Sequence, residues 1–205
     1  MPKVKIPKKS IHIDMTAMTD VAFLLLTFFM LTTKFKPDEP VVIDPPSSIS
    51  DIKLPESDII ILNIDKDGKV FYSIEGKEIR ADLLRKMGKI YNIAFTPEEI
   101  QKFSLLSTFG IPIQQMKQFL TVAPPDRVNV DQPGVPIDST NNQLGDWIME
   151  GRRANKEVSG KDCRVALKGD QEAEYPVVKE VIATLQDKNV NKFNFITTLE
   201  GRVDE

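Results

Sequence analysis

The chain has 205 residues, 41% of them hydrophobic and 28% charged, with a net charge of −3. That balance is ordinary for a globular protein, and its slightly acidic sign, with no basic patch interleaved with aromatics, argues against nucleic-acid binding. One His and one Cys exclude a His/Cys metal centre and an internal disulfide.

The N-terminal residues 1–13 hold Lys3, Lys5, Lys8 and Lys9 and read as a cytoplasmic tail. The most apolar stretch follows, Val21 through Leu31, with Asp20 just inside its start. Eleven helical residues reach only about 16 Å, against a hydrocarbon core of about 30 Å. A membrane-spanning helix over residues 14–35 is long enough, and it contains Asp20. A carboxylate there costs roughly 2.5–3.5 kcal/mol on insertion scales, and such a group marks proton or ion movement by default. A soluble reading makes Thr19 or Asp20 the N-cap of a buried helix. Against it, the run is apolar on every side except at Thr27, so protein or lipid has to surround it. A cleavable signal peptide fits the Lys-rich start, but the Asp and the absence of a small-x-small site before Lys34 do not fit it.

The flanks set a direction. Four Lys precede the helix and two, Lys34 and Lys36, follow it, so the N-terminus is expected inside and the rest of the chain outside the cytoplasm. At about 100° per residue, Thr16 and Thr27 fall within about 40° of Asp20 around the helix. Their hydroxyls can hydrogen-bond a carboxyl or hold a water, or they can back-bond to their own helix. One helix encloses no pathway, so Asp20 requires partner helices to shield it from the lipid bilayer.

Residues 36–56 form an extended linker punctuated by Pro37, Pro40, Pro45, Pro46 and Pro55. Within it, Val41, Val42 and Ile43 are strand-like and can add to a sheet edge. A compact domain over residues 57–205 follows. Strands are expected over 58–65 and 69–74, joined by a hairpin turn at Asp65-Lys66-Asp67-Gly68. That spacing lacks the further ligands and closing Glu of a calcium loop. Residues 81–91 carry Leu83, Leu84, Met87 and Tyr91 at helical spacing. A strand at 164–167, a helix at 175–187 and a strand at 194–198 close the pattern, giving a small two-layer α+β domain.

Between the halves lies an insertion, about residues 92–161, expected to be mostly helical. Thr96 and Pro97 mark a helix start and Gly110 its end. Residues 113–120 read as a second helix, 123–140 as irregular, and 142–154 as a third. In that third helix Leu144, Trp147 and Ile148 share a side, and Trp147 is expected to pack onto the domain. No catalytic residues and no cofactor are expected: Cys163 has no His to pair with, and no Gly-rich phosphate loop is present.

The run from Ile13 through Asp20 to Met30 resembles the ExbD/TolR family of biopolymer transport proteins. The family pattern is Ile-Asn-x-Thr-Pro-x-x-Asp-Val followed by an apolar run, with Asp14 here in place of Asn and Ala17 in place of Pro. The linker at residues 41–46, the hairpin at 62–70, and the strand and helix at 165–182 are also similar; the insertion is the departure. The resemblance implies a single-pass inner-membrane protein with a periplasmic domain. It implies two copies of this helix inside a ring of an ExbB- or TolQ-like multi-helix partner, with the Asp at position 20 carrying protons. It further implies force transmitted to a TonB-like protein for outer-membrane transport, or to a TolA-like protein for envelope integrity. The alternative class is a passive single-pass anchor displaying a peptidoglycan- or protein-binding domain.

Overall fold

The computed structural model describes residues 15–33, 43–48, 57–138 and 141–199. The tail at 1–13 and the linker residues 34–42 and 49–56, with Val41 and Val42, lie outside them. The chain divides into two compact units, Met1–Pro37 and Asp38–Glu205.

The first unit contributes one helix, α1 (Met15–Thr32). It carries no acidic residue in its first turn and no basic residue in its last. At 1.5 Å per residue its length is about 27 Å, close to the expected span.

The second unit is built on a five-stranded mixed sheet. Strand β1 (Ser47–Ser48) lies outside that sheet; β2 (Ile59–Ile64) and β3 (Val70–Ile74) form its antiparallel hairpin. The turn between them is the expected one. Gly68 takes φ 75°, its N–H reaches Asp65 O at 3.0 Å, and Asp65 N–H reaches Lys69 O at 3.0 Å. Among the described residues no group of three or more His, Cys, Asp or Glu gathers here or elsewhere.

Helix α2 (Lys77–Ile90) starts four residues before the sequence pattern places it. Its N-cap is Gly76 at φ 98°, which offers no side-chain acceptor, so no capping signal announces the first turn. Helix α3 (Pro97–Ser104) has the capping box that Thr96 foreshadows: Glu99 N–H donates to Thr96 Oγ1, and Thr96 N–H to Glu99 Oε2. It ends well before Gly110, because Thr108–Phe109 is a strand, β4, paired antiparallel to β3. Gly110 instead faces the Phe71 ring, where an added Cβ would lie 2.4 Å from Cδ1.

A 3-10 turn at Ile113–Gln115 leads into α4 (Met116–Thr121). A second 3-10 turn, Pro124–Asn129, opens the irregular stretch. Helix α5 (Gln143–Ser159) is capped by Asn142 Oδ1, which accepts from Gly145 N–H at 3.0 Å, and closes on left-handed Gly160. Strand β5 (Arg164–Gly169), helix α6 (Tyr175–Asp187), β6 (Phe193–Phe195) and β7 (Thr198–Leu199) complete the unit.

Strand order is β4-β3-β2-β5-β6. Strand β5 runs parallel to β2 and β6 parallel to β5. The register sets Ile60 beside Ile74 and Val165, and Leu62 beside Tyr72 and Leu167. These side chains belong to one buried cluster with Leu83, Leu84 and Met87 of α2, Trp147 of α5 and Leu185 of α6. Residues 92–161 are therefore part of the core and not an appended lobe: β4 extends the sheet, and α5 packs on α2. Trp147 is fully buried, its ring centroid 4.8 Å from that of Phe109.

Candidate functional site

The folded chain gives the residues of α1 no cover. None is buried, and Val21, Phe23, Leu24, Leu25, Leu26, Phe28, Phe29, Met30 and Leu31 are each more than half exposed. It is the one described helix long and apolar enough to cross a membrane. An apolar surface this continuous has to be covered by lipid or by other helices.

Asp20 is the sole ionisable side chain on this helix. It stands one turn after Thr16 and two turns before Thr27, so the three share a face as the sequence spacing requires. Thr27 Oγ1 donates to Phe23 O at 2.9 Å and to Leu24 O at 3.0 Å. This is the back-bonded arrangement, which spends the proton and leaves lone pairs facing outward. Thr19 Oγ1 donates likewise to Thr16 O at 2.9 Å, and Thr32 Oγ1 to Phe28 O at 2.8 Å. The helix thus carries one acid on a face lined by hydroxyl acceptors, with hydrocarbon elsewhere.

The linker segment meets the folded unit at a second place. Ile43 and Pro45 are buried. Asp44 N–H donates to Asp170 Oδ2 at 3.1 Å, and Gln171 N–H returns a bond to Asp44 O at 3.0 Å. Gln171 Nε2 reaches Pro45 O at 3.4 Å. Two residues on, β1 pairs parallel with β7, Ser47 opposite Thr198. Among the described residues the strand pairing falls on Ser47–Ser48; Ile43 is buried beside it, while Val41 and Val42, where the sequence also directs attention, lie outside the described residues. Asp170 also accepts Glu172 N–H on Oδ1 at 3.0 Å. These two backbone donors, Glu172 first and Asp44 second, hold its carboxyl below the usual carboxylate range. Its turn-forming position after β5 was the one local signal for Asp170; its reach to Asp44 is tertiary and left none.

An open groove of about 540 Å³ lies between the end of α2 and α3, lined by Gly88, Ile93, Phe95 and Ile100 with Arg85 and Lys89 among them. Both cations sit in the last turns of α2, where they complement the helix dipole.

A family model described as Biopolymer transport protein ExbD/TolR matches residues 7–200. No curated protein and no solved structure matches the chain.

Proposed function

The chain belongs to the ExbD/TolR family of biopolymer transport proteins, and we propose that it is the proton-carrying subunit of an inner-membrane energising complex. In this reading the complex couples the proton motive force to TonB-dependent transport across the outer membrane. One observation carries it: a lone carboxyl, Asp20, on a helix whose apolar side chains are all exposed.

The physics runs from that residue outward. A bare carboxylate in hydrocarbon is expensive, so partner helices are expected to shield Asp20 from lipid; family membership adds the expectation that these belong to a ring of an ExbB-like partner holding a second copy of α1. There Asp20 accepts a proton from one side and yields it to the other. Each charge crossing about 100 mV is worth about 2.3 kcal/mol. The Lys count of the flanks supports an N-terminus in the cytoplasm and a folded unit in the periplasm. That unit, through its linker, passes the motion to a TonB-like protein.

The test is Asp20→Asn, which keeps the shape and removes the ionisation. The variant is expected to assemble with its membrane partner and to abolish energised uptake; normal uptake would sink the reading.

A further inference from the structure

The groove at the end of α2 has features that its own fold does not use. Its floor is apolar: Gly88, Ile93, Phe95 and Ile100 line it, and the last three also rest on the buried core. Gly88 lets residues 93–95 lie close to α2. A Cβ there would sit 2.6 Å from Ile93 O and 3.0 Å from the Phe95 ring. The approach is fastened by Ile93 N–H, which donates to Gly88 O at 2.8 Å.

The rim is basic and unpaired. Arg85 and Lys89 line the groove, both are exposed, and among the described residues neither has a carboxylate partner. Lys86 between them is engaged, with Asp82 at 3.0 Å and Glu157 at 2.8 Å. Lys117 adds a third cation, its Nζ 5.8 Å from the Phe95 ring centre. Of the carboxylates on α3, Glu99 is turned to its own helix start and accepts Thr96 N–H at 2.7 Å, and Glu98 does not line the groove. In a chain of net charge −3 this is a local excess of positive charge. The helix dipole accounts for cations at the end of α2. It does not account for an apolar hollow beside them.

The backbone along one wall is open as well. Ala94 and Phe95 belong to neither helix nor strand, and among the described residues no hydrogen bond engages their N–H or C=O groups. Burial alternates here, with Ile93 and Phe95 half-buried and Ala94 exposed. That is the alternation of an extended segment, the kind that takes a peptide alongside it.

We propose that this groove is a docking site for an acidic peptide segment of a partner protein, laid along residues 93–95 with an apolar side chain on the floor and carboxylates against Arg85 and Lys89. The open backbone groups supply affinity without sequence preference. The floor and the rim supply the preference, for apolar and acidic residues in alternation. Charge complementarity selects the acidic partner, because a basic segment would meet three unpaired cations. One wall, residues 93–100, falls in the stretch where the sequence departs from the family resemblance. The site goes beyond the proton-carrying reading and does not depend on it.

The test uses the full chain in nanodiscs of zwitterionic lipid, with no proton gradient. The probe is a fluorescein-labelled peptide, Glu-Leu-Glu-Phe-Glu-Leu, and its control carries Lys at each Glu. Fluorescence anisotropy is expected to show saturable binding of the Glu peptide, about tenfold tighter than the Lys peptide. Bound peptide is expected to slow amide exchange at Ala94 and Phe95 and to leave β2 and β5 unchanged. Neither reading needs an altered protein. Arg85→Glu with Lys89→Glu is expected to reverse the preference, so that the Lys peptide binds the tighter.

Three results would overturn the proposal: no saturable binding of the Glu peptide, binding without protection at Ala94 and Phe95, or a preference unmoved by the double variant. Protection of the same amides by anionic-lipid nanodiscs alone would also overturn it, making the groove a membrane contact. Normal uptake by Asp20→Asn would bring down the proton-carrying reading and leave the groove to be judged on its own.

Discussion

A methyl group added to Gly151 would lie 2.0 Å from the Tyr72 hydroxyl. Gly151 belongs to α5 and Tyr72 to β3, so the absence of one side chain lets the helix lie directly on the sheet. That hydroxyl is buried and has no hydrogen-bond partner among the described residues, and burial pushes its ionisation well above the ordinary Tyr value. Gly151→Ala gains about 1 kcal/mol of helix propensity, but overpacking costs about 1–3 kcal/mol and is expected to win. Tyr72→Phe removes the clashing atom and an unsatisfied polar group together, so alone it is expected to be neutral or stabilising. The double variant should recover most of the Gly151→Ala loss. Denaturant melts of the four proteins measure the coupling, and simple additivity would refute the close contact as its cause.

Arg127 has a buried guanidinium with no acidic partner among the described residues. Its Nε donates to Val122 O at 3.0 Å and its Nη2 to Leu120 O at 3.3 Å, while the guanidinium carbon lies 5.7 Å from the Phe119 ring centre. It thereby occupies carbonyls left open at the end of α4. Arg127→Ala is expected to cost about 2–3 kcal/mol. Arg127→Lys should recover little, because an ammonium cannot span both carbonyls from one planar fork. A Lys variant as stable as the parent in urea melts would count against this role.

Cys163 is buried between α5 and β5, and burial pushes its thiol from an ordinary 9.0 up to about 12. The unfolded chain therefore releases this proton near pH 9 while the folded chain keeps it. Between those values the folded state binds more protons, so this group lowers stability as pH rises from 9 towards 12. Below pH 9 it contributes no slope. Iodoacetamide at pH 8 is expected to label Cys163 only as fast as the domain unfolds; rapid labelling of native protein would contradict the burial.

Asp170 gives the opposite sign. Its folded carboxyl titrates below the unfolded 3.8, because Glu172 and Asp44 donate to it and the Lys66 charge adds a smaller pull. The contribution is complete above pH 4 and lost as pH falls through the lower, folded value. Exchange at Gln171 is therefore expected to be flat from pH 7 to 5, once corrected for the intrinsic rate, and to rise below about 4. A rise near neutral pH would assign the protection of Gln171 to another group.

Thr27 tests the polar face of α1. Its hydroxyl proton is committed to Phe23 and Leu24 carbonyls, so Thr27→Val leaves the helix intact and removes only the outward lone pairs. Uptake is expected to fall about tenfold, the effect of about 1.4 kcal/mol, with protein level in the membrane unchanged. Full uptake would reduce Thr27 to a helix residue.

The sequence showed its elements wherever a local rule has a local cause. The Asp65–Gly68 turn, the Thr96 capping box and the 175–187 helix all follow from residues within one turn of each other. The early start of α2 left no trace because Gly76 caps without a side chain. Strand β4 is two residues long, too short for a period of two to register, and Gly110 beside it reads as a helix stop when its task is to clear Phe71. In the candidate site, Asp20 stood out because a charge among apolar residues is anomalous in any fold. Asp170 announced only a turn, since the residue it holds is 126 positions away in the chain.

The pairing of β2 with β5 also has a consequence in time. Ile59 meets Arg164 across the centre of the sheet, so the hairpin of β2 and β3 is made about a hundred residues before its neighbour. At about 5–20 residues per second of synthesis, that interval is roughly 5–20 s. Throughout it, the inner edge of β2 carries open backbone donors and acceptors, the arrangement most prone to pairing with a stranger. Chains stalled before residue 164 are expected to be captured by holding chaperones, and chains stalled beyond the end of β6 are expected to escape them. The centre of the sheet thus stays open until β5 is made.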